Sequence, residues 1–275
     1  MGQGRLFVVA TPIGNLEDIT LRALRVLKSV RLVAAEDTRH SRKLLQHYQI
    51  DTPLTSYHEH NETGKAQALV GVLKEGRDVA LITDAGTPCI SDPGYRIVRA
   101  ARDAGIEVVA VPGPSAVVAA LSVSGLPPGR FTFHGFFPRK QNEAGRVLAH
   151  LKAAGGTHVF YESPHRVAAT LGRIEKALPD AEVCVTRELT KTFEEVAHGS
   201  AGSLRTRFSG GPVRGECVVL IHAEAQSQLP GPLRIRELVE RAMAKEGLSR
   251  RDAVREIAAQ LGVPRNVVYD AAGES

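Results

Sequence analysis

The chain has 275 residues, 43% of them hydrophobic and 24% charged. That balance belongs to a folded globular protein and excludes a disordered or fibrous one, and the length suffices for two domains of ordinary size. No stretch has the unbroken apolar length of a membrane-spanning helix. The opening MGQGR runs into a short apolar segment without the long hydrophobic region and cleavage site of a secretory signal. Cys89, Cys184 and Cys217 are odd in number and scattered, which predicts neither a disulfide framework nor a paired zinc motif and fits a reduced cytoplasmic setting. A formal net charge of +5 permits a phosphate-rich partner without establishing one.

In chain order, short β-branched runs alternate with helical patterns. Arg5–Thr11, Leu32–Ala35, Asp78–Thr83 and Glu107–Val111 read as buried strands. Between them, Leu21–Ser29, Ser41–Tyr48, Lys65–Lys74 and Tyr95–Ala104 carry apolar residues at helical spacing. This alternation predicts a mostly parallel sheet with helices on both faces. After Pro112-Gly113-Pro114 a second set begins. Its strands are Phe131–Phe136, His158–Tyr161, Glu182–Thr186 and Glu216–His222, with helices near Glu143–Ala153 and Arg166–Leu178. Two α/β domains are expected, over residues 1–112 and 113–225. A linker-like stretch, Ala225–Pro232, leads to a helical extension over 226–275. There Leu233–Lys245, Arg250–Leu261 and Arg265–Ala271 read as helices. Ser249 suits an N-cap, Gly247 and Gly262 suit helix ends, and the order of pieces is that of a helix-turn-helix.

Five loops follow predicted strands, where open α/β sheets bind their ligands. They are Thr11–Asn15, Glu36–Arg39, Asp84–Pro88, Pro112–Ser115 and Tyr161–Arg166. Small and turn-forming residues there let a backbone approach a ligand closely. Any α/β protein needs turns at such places, so the set of five, not one of them, points to a cleft. The first loop has neither the GxGxxG nor the Walker pattern, which argues against a dinucleotide or P-loop nucleotide site.

Seven segments in order, VATPIGNLEDIT, AEDTRHSRKLL, TDAGTPCISDPGY, VPGPSAVVAALSVSGLP, FHGFFPRK, YESPHR and TRELTKTFEE, resemble the ribosomal RNA small subunit methyltransferase I family, a branch of the tetrapyrrole methylase fold. The likeness runs from about residue 5 to residue 222 and extends into the tail. It implies two tetrapyrrole-methylase-type α/β domains with an S-adenosylmethionine cleft between them, a homodimer, and 2′-O-methylation of a cytidine ribose in the decoding region of small-subunit ribosomal RNA. It also implies the cofactor contacts. These are Pro12, Ile13 and Gly14 in the first loop, Asp84, Gly86, Thr87 and Ile90 in the loop after the third predicted strand, and Ser115 and Ala116 after the Pro-Gly turn. Tyr161, Glu162, Arg187 and Glu188 would add contacts from the second domain. The proline-containing first loop departs from the glycine-rich loop of tetrapyrrole methylases and counts against a corrin-like substrate.

A sulfonium methyl is already activated, so positioning is the protein's main task and no metal is required. A ribose hydroxyl still gains from a nearby base, for which Glu36, Asp37, His58, His60, His134, Glu162 and His165 are available. Glu36, Asp37 and His165 are the catalytic candidates. The plainer role for Asp37 is to cap the next helix, and for His58 and His60 it is a solvated loop. Arg39, Arg42 and Lys43, with Arg22, Arg25, Lys28 and Arg31 upstream, could face RNA, as could Arg139, Lys140 and Arg166. The alternative is ordinary solvated surface. The tail is nearly balanced in charge, poor for reading DNA and suited to an accessory module that docks RNA or the ribosomal subunit. Rival readings are a tetrapyrrole or diphthine-type methyltransferase on the same fold, or an RNA-binding protein that keeps the fold without catalysis.

Overall fold

A computed structural model describes residues 2–210, 215–225 and 232–273. The expected linker lies almost wholly at 226–231, outside the described residues. Met1–Leu151 with Gly156–Glu224 form one compact unit, and Lys152–Gly155 with Ala225–Ser275 form a second.

The first unit contains two sheets. In the first, β1 (Leu6–Val9), β2 (Leu32–Ala35), β3 (Leu54–Ser56), β4 (Val79–Ile82) and β5 (Val108–Val111) are ordered β3-β2-β4-β1-β5, all parallel. Alternate strand residues feed opposite faces. Val9, Val33, Ala80 and Ile82 pack on α1 (Leu21–Ser29) and α2 (Thr38–His47). Leu6, Ala34, Val79 and Leu81 pack on α3 (Glu62–Lys74) and α4 (Tyr95–Asp103). Burial on both sides explains why these strands read as unbroken apolar runs.

In the second sheet, β6 (Phe131–Phe136), β7 (Gly156–Glu162), β8 (Glu182–Arg187), β9 (Glu195–Ser200) and β10 (Cys217–Ala223) are ordered β6-β7-β10-β8-β9. Only β6 and β7 are parallel; the other pairs are antiparallel. One face packs on α6 (Gln141–Ala154), α7 (Val167–Ala177) and α8 (Ala201–Phe208) through Phe160, Val183, Val185, Val219 and Ile221. The opposite face, with Val159, Cys184, Val218 and Leu220, receives α5 (Ala116–Val123) together with Ile13 and Leu189. Through Ile13 and α5, the loops of the first sheet rest on the second.

Four elements were not foreseen. β3 has only three residues, all half-buried, and β9 alternates polar and small residues on a sheet edge. α5 and α8 have eight residues each, too short for a clear helical period.

The second unit contains α9 (Pro232–Glu246), α10 (Arg250–Leu261) and α11 (Arg265–Ala272), closed around Ile235, Val239, Val254, Ile257 and Val268. Ser249 caps α10 by accepting from the Asp252 amide, and Gly262 ends it at φ 66°. Arg250 donates to the carbonyls of Ala272 and Gly273 at the end of α11. No described helix is long and apolar enough to cross a membrane.

Candidate functional site

The carboxyl ends of β1, β2 and β4 turn into loops that are locked to one another. Thr11 and Gly86 exchange backbone hydrogen bonds at 2.9 and 3.1 Å, and the Thr11 hydroxyl donates to the Thr83 carbonyl. The Thr87 hydroxyl donates to the Pro114 carbonyl. Within this loop Gly86, Cys89, Ser91 and Gly94 all have positive φ, between 65° and 144°. Two of them are not glycine, a local strain that a functional loop tolerates when its surroundings fix it.

These loops and the facing ends of β7, β8 and β10 enclose a cavity of about 360 Å³. Three carboxylates stand on the first-sheet side: Glu36, Asp84 and Asp92. The Thr83 hydroxyl donates to Glu36 at 2.6 Å, and Asp84 accepts from the Asp37 amide at 3.1 Å. Burial pushes the Asp84 carboxyl above its ordinary value. Burial, then the neighbouring Glu36, and also Asp84 raise Asp92 to about 6. Thr83 opposes this, but its single hydroxyl proton already goes to Glu36. On the second-sheet side stand Tyr161, Thr186, Cys217 and Val218. Burial pushes the Tyr161 phenol and the Cys217 thiol up to about 12, so both stay protonated at neutral pH. The Thr186 hydroxyl is buried and lacks a partner among the described residues. A buried hydroxyl without a partner is uncommon in a folded protein, and this one belongs to a residue of the cavity wall.

The expected cofactor contacts divide. Ile13, Asp84, Gly86, Thr87, Ile90, Ser115, Ala116, Tyr161 and Glu162 line the cavity. Four do not. Pro12 is buried, and Gly14 is exposed outside the cavity lining, with Lys191 Cγ 2.5 Å from where a Cβ would stand. Arg187 is paired with Glu195 at 2.8 Å. Glu188 is held by Lys191 at 2.8 Å and by the Glu216 amide. Glu162 touches the cavity, but its carboxylate is committed to its own loop. It accepts from the Ser163 amide at 2.7 Å and the Thr170 hydroxyl at 2.5 Å, and pairs with Arg166 at 3.2 Å. A buried carboxylate needs those partners.

Of the catalytic candidates, Glu36 alone is in the cavity wall. Asp37 caps α2, accepting from the Arg39 amide at 2.8 Å and pairing with the Arg39 guanidinium; these contacts hold its carboxyl below the usual range. His165 is exposed and outside the cavity lining. Among the RNA-facing candidates, Arg42, Lys43 and Arg139 are exposed and, among the described residues, free of ion pairs, while Arg39 and Lys140 pair locally with Asp37 and Glu143. Arg166 turns inward: besides Glu162 it donates to the Phe137 carbonyl, which commits it to the fold. Asp92, Phe136 and the turn at Gly215 also belong to the cavity wall. Asp92 lay inside the TDAGTPCISDPGY segment, where only its eight-residue separation from Asp84 could have suggested it.

Comparison with known proteins gives the kinship. The tetrapyrrole (corrin/porphyrin) methylase family model matches residues 5–205. A ribosomal RNA small subunit methyltransferase I of Bacillus subtilis is 42% identical over 274 residues, covering 98% of this chain and 94% of the relative. One from Pseudomonas aeruginosa is 49% identical over 224 residues, covering 80% and 79%. Among solved structures, diphthine synthase superposes with a TM-score of 0.63 at 13% identity, over 80% of this chain and 90% of that one, which speaks to the fold alone.

Proposed function

Because the chain belongs to the ribosomal RNA small subunit methyltransferase I family of tetrapyrrole methylases, we propose that it transfers a methyl group from S-adenosylmethionine to the 2′-hydroxyl of a cytidine ribose in the decoding region of small-subunit ribosomal RNA. The observation that carries this reading is the composition of the cavity. It joins an apolar floor of Ile13, Leu189 and Val218, an orphaned Thr186 hydroxyl and a wall of carboxylates. That donor set suits a molecule with a flat apolar part, hydrogen-bonding edges and a positive centre.

S-adenosylmethionine supplies a sulfonium methyl that is already activated. Ile13, Ile90, Leu189 and Val218 would hold its apolar part, Thr186 and the Gly86–Thr87 backbone its polar edges, and Glu36, Asp84 and Asp92 its positive charge. Ser115 stands at the start of α5, makes no capping hydrogen bond with its side chain and leaves the first helical amides open to a carboxylate. Glu36, which accepts from the Thr83 hydroxyl, and Asp92 are the acceptors at hand for the ribose hydroxyl proton. Asp92, raised to about 6, approaches the neutral range where a base works best. Arg42, Lys43 and Arg139 carry the phosphate contacts, and the tail helices dock the subunit. A homodimer in the cytoplasm is the assembly and setting implied by kinship.

Transfer of labelled methyl to 30S subunits prepared without their usual methylations tests the reading. The expected product is one cytidine whose 3′ linkage resists alkaline hydrolysis. Tight cofactor binding with no transfer to subunits or free ribosomal RNA overturns it in favour of a small-molecule or protein substrate.

A further inference from the structure

Strand β6 breaks the alternation that a strand imposes on its side chains. Its pairing with β7 shifts register between Phe133 and Phe136, and Gly135 there has φ 71°. Phe133 and Phe136 both meet Tyr161 edge-on, at 4.9 and 5.6 Å. His134 stacks on Phe160 at 4.6 Å, and Phe137 meets the same ring at 5.2 Å. Phe160 and Tyr161 are successive residues of β7 and so point to opposite faces. Strict alternation would put Phe133 and Phe137 on one face and His134 and Phe136 on the other. The bulge at Gly135 exchanges the faces of Phe136 and Phe137: Phe137 is buried in the core and Phe136 is turned out to the cavity.

Turning a phenylalanine outward is unfavourable unless something covers it, and Phe136 is 62% exposed. It meets Tyr161 at an interplanar angle of 67°, and most of the residue stays exposed where it lines the cavity. Three residues further along, Arg139 is exposed and unpaired among the described residues. An exposed aromatic ring in the wall of a ligand cavity, with an exposed arginine three residues away in the chain, supplies the two parts by which an unstacked nucleobase and its phosphate are held. We propose that Phe136 is the platform on which the base of the target nucleotide stacks, so that its ribose hydroxyl is presented to the cavity, with Arg139 on the adjoining phosphate. The inference rests on the RNA-methylating reading above and adds the residue that selects an extruded base over a paired one. The deeper apolar floor is left to the cofactor, and Phe136 belongs to the RNA.

The chain contains no tryptophan, so Phe136→Trp introduces a single fluorophore at the platform. Addition of oligocytidylate is expected to quench it, while Phe131→Trp, on the same strand outside the cavity lining, keeps its emission. In methyl transfer to undermethylated 30S subunits, Phe136→Ala is expected to raise KM for subunits about 5- to 100-fold. Its Kd for S-adenosylmethionine should stay unchanged, and Phe136→Tyr should restore KM. Equal emission changes at 131 and 136, or a parental KM in a folded Phe136→Ala chain, overturns the platform while leaving the methyltransferase reading intact. A weakened cofactor Kd in Phe136→Ala also overturns it, by placing the ring in the cofactor site. If the parent methylates no RNA but Phe136→Trp alone is quenched, base stacking stands and ribose methylation falls.

Discussion

Asp92 is the residue at which the site and the stability of the fold pull against each other. Its carboxyl is raised from 3.8 to about 6, chiefly by burial and then by Glu36, with Asp84 adding to it. The native chain therefore binds a proton that the unfolded chain releases between those two values. Stability from this group is full below about pH 3.8, drains as the pH rises through 6, and is lost above it. At 1.36 kcal/mol per decade of pH, the ionised form costs at most about 3 kcal/mol. Asp92 is half-buried, and solvent screening brings the cost to about 1–2 kcal/mol. Asp92→Asn stays neutral at every pH and should stabilise the chain by that amount at pH 8, roughly half as much at pH 5, and least near pH 4. In thermal unfolding the gain at pH 8 corresponds to about 2–8 °C. The same substitution should abolish the rise of kcat/KM through about pH 6 expected of the parent, and lower the rate by about 10²- to 10⁴-fold. A gain independent of pH, or a loss of stability at pH 8, would refute the claim that ionised Asp92 burdens the fold.

Other perturbations separate cavity, scaffold and RNA surface. Ser115→Phe or Thr87→Trp should fill the cavity and abolish S-adenosylmethionine binding by calorimetry with an unchanged circular dichroism spectrum; undiminished affinity in a folded variant counts against the cofactor assignment. Thr170→Val removes a 2.5 Å hydrogen bond from the buried Glu162 carboxylate and should cost about 1–3 kcal/mol in urea unfolding; an unchanged midpoint would mean that Ser163 and Arg166 satisfy the carboxylate alone. Replacing Arg42 and Lys43 together by alanine should weaken RNA binding at 50 mM salt and flatten the dependence of log K on log salt by about 1–2; an unchanged slope would remove α2 from the RNA surface.

The first sheet was legible except for β3, because its central strands β1, β2 and β4 are buried on both faces. Runs such as VALI at β4 can be little else when glycine and charge bound them on either side. The second sheet was legible as a set of strands but not as a topology. Antiparallel partners such as β8 and β10, paired from Cys184 against Leu220 to Arg187 against Cys217, leave the same apolar run in sequence as parallel ones. Edge strand β9 escaped because its exposed residues alternate with small ones and need no hydrophobic pattern to hold their place.

The site was legible to the extent that its residues serve the backbone. The loops 84–88 and 112–115 stand out by their turn chemistry, the family resemblance singles out Gly86, Thr87 and Ser115 within them, and all three line the cavity. Charged side chains were harder, since a carboxylate or guanidinium serves a ligand and a fold equally well. Glu162 and Arg166 look like site residues in YESPHR, yet they bind each other and the loop around them. Asp37 likewise spends its charge on the α2 cap. Asp92 runs the other way. It sits in a strained turn with Ser91 at φ 65°, is burdened by two neighbouring carboxylates and has no cation to offset them among the described residues. A fold has no use for that arrangement. A cavity that receives a cation does, because the bound positive charge relieves the repulsion, and the energy stored in the empty site then reappears as affinity. On the function proposed above, the raised pKa of Asp92 and the selection of a positively charged methyl donor would be two consequences of one placement of charge.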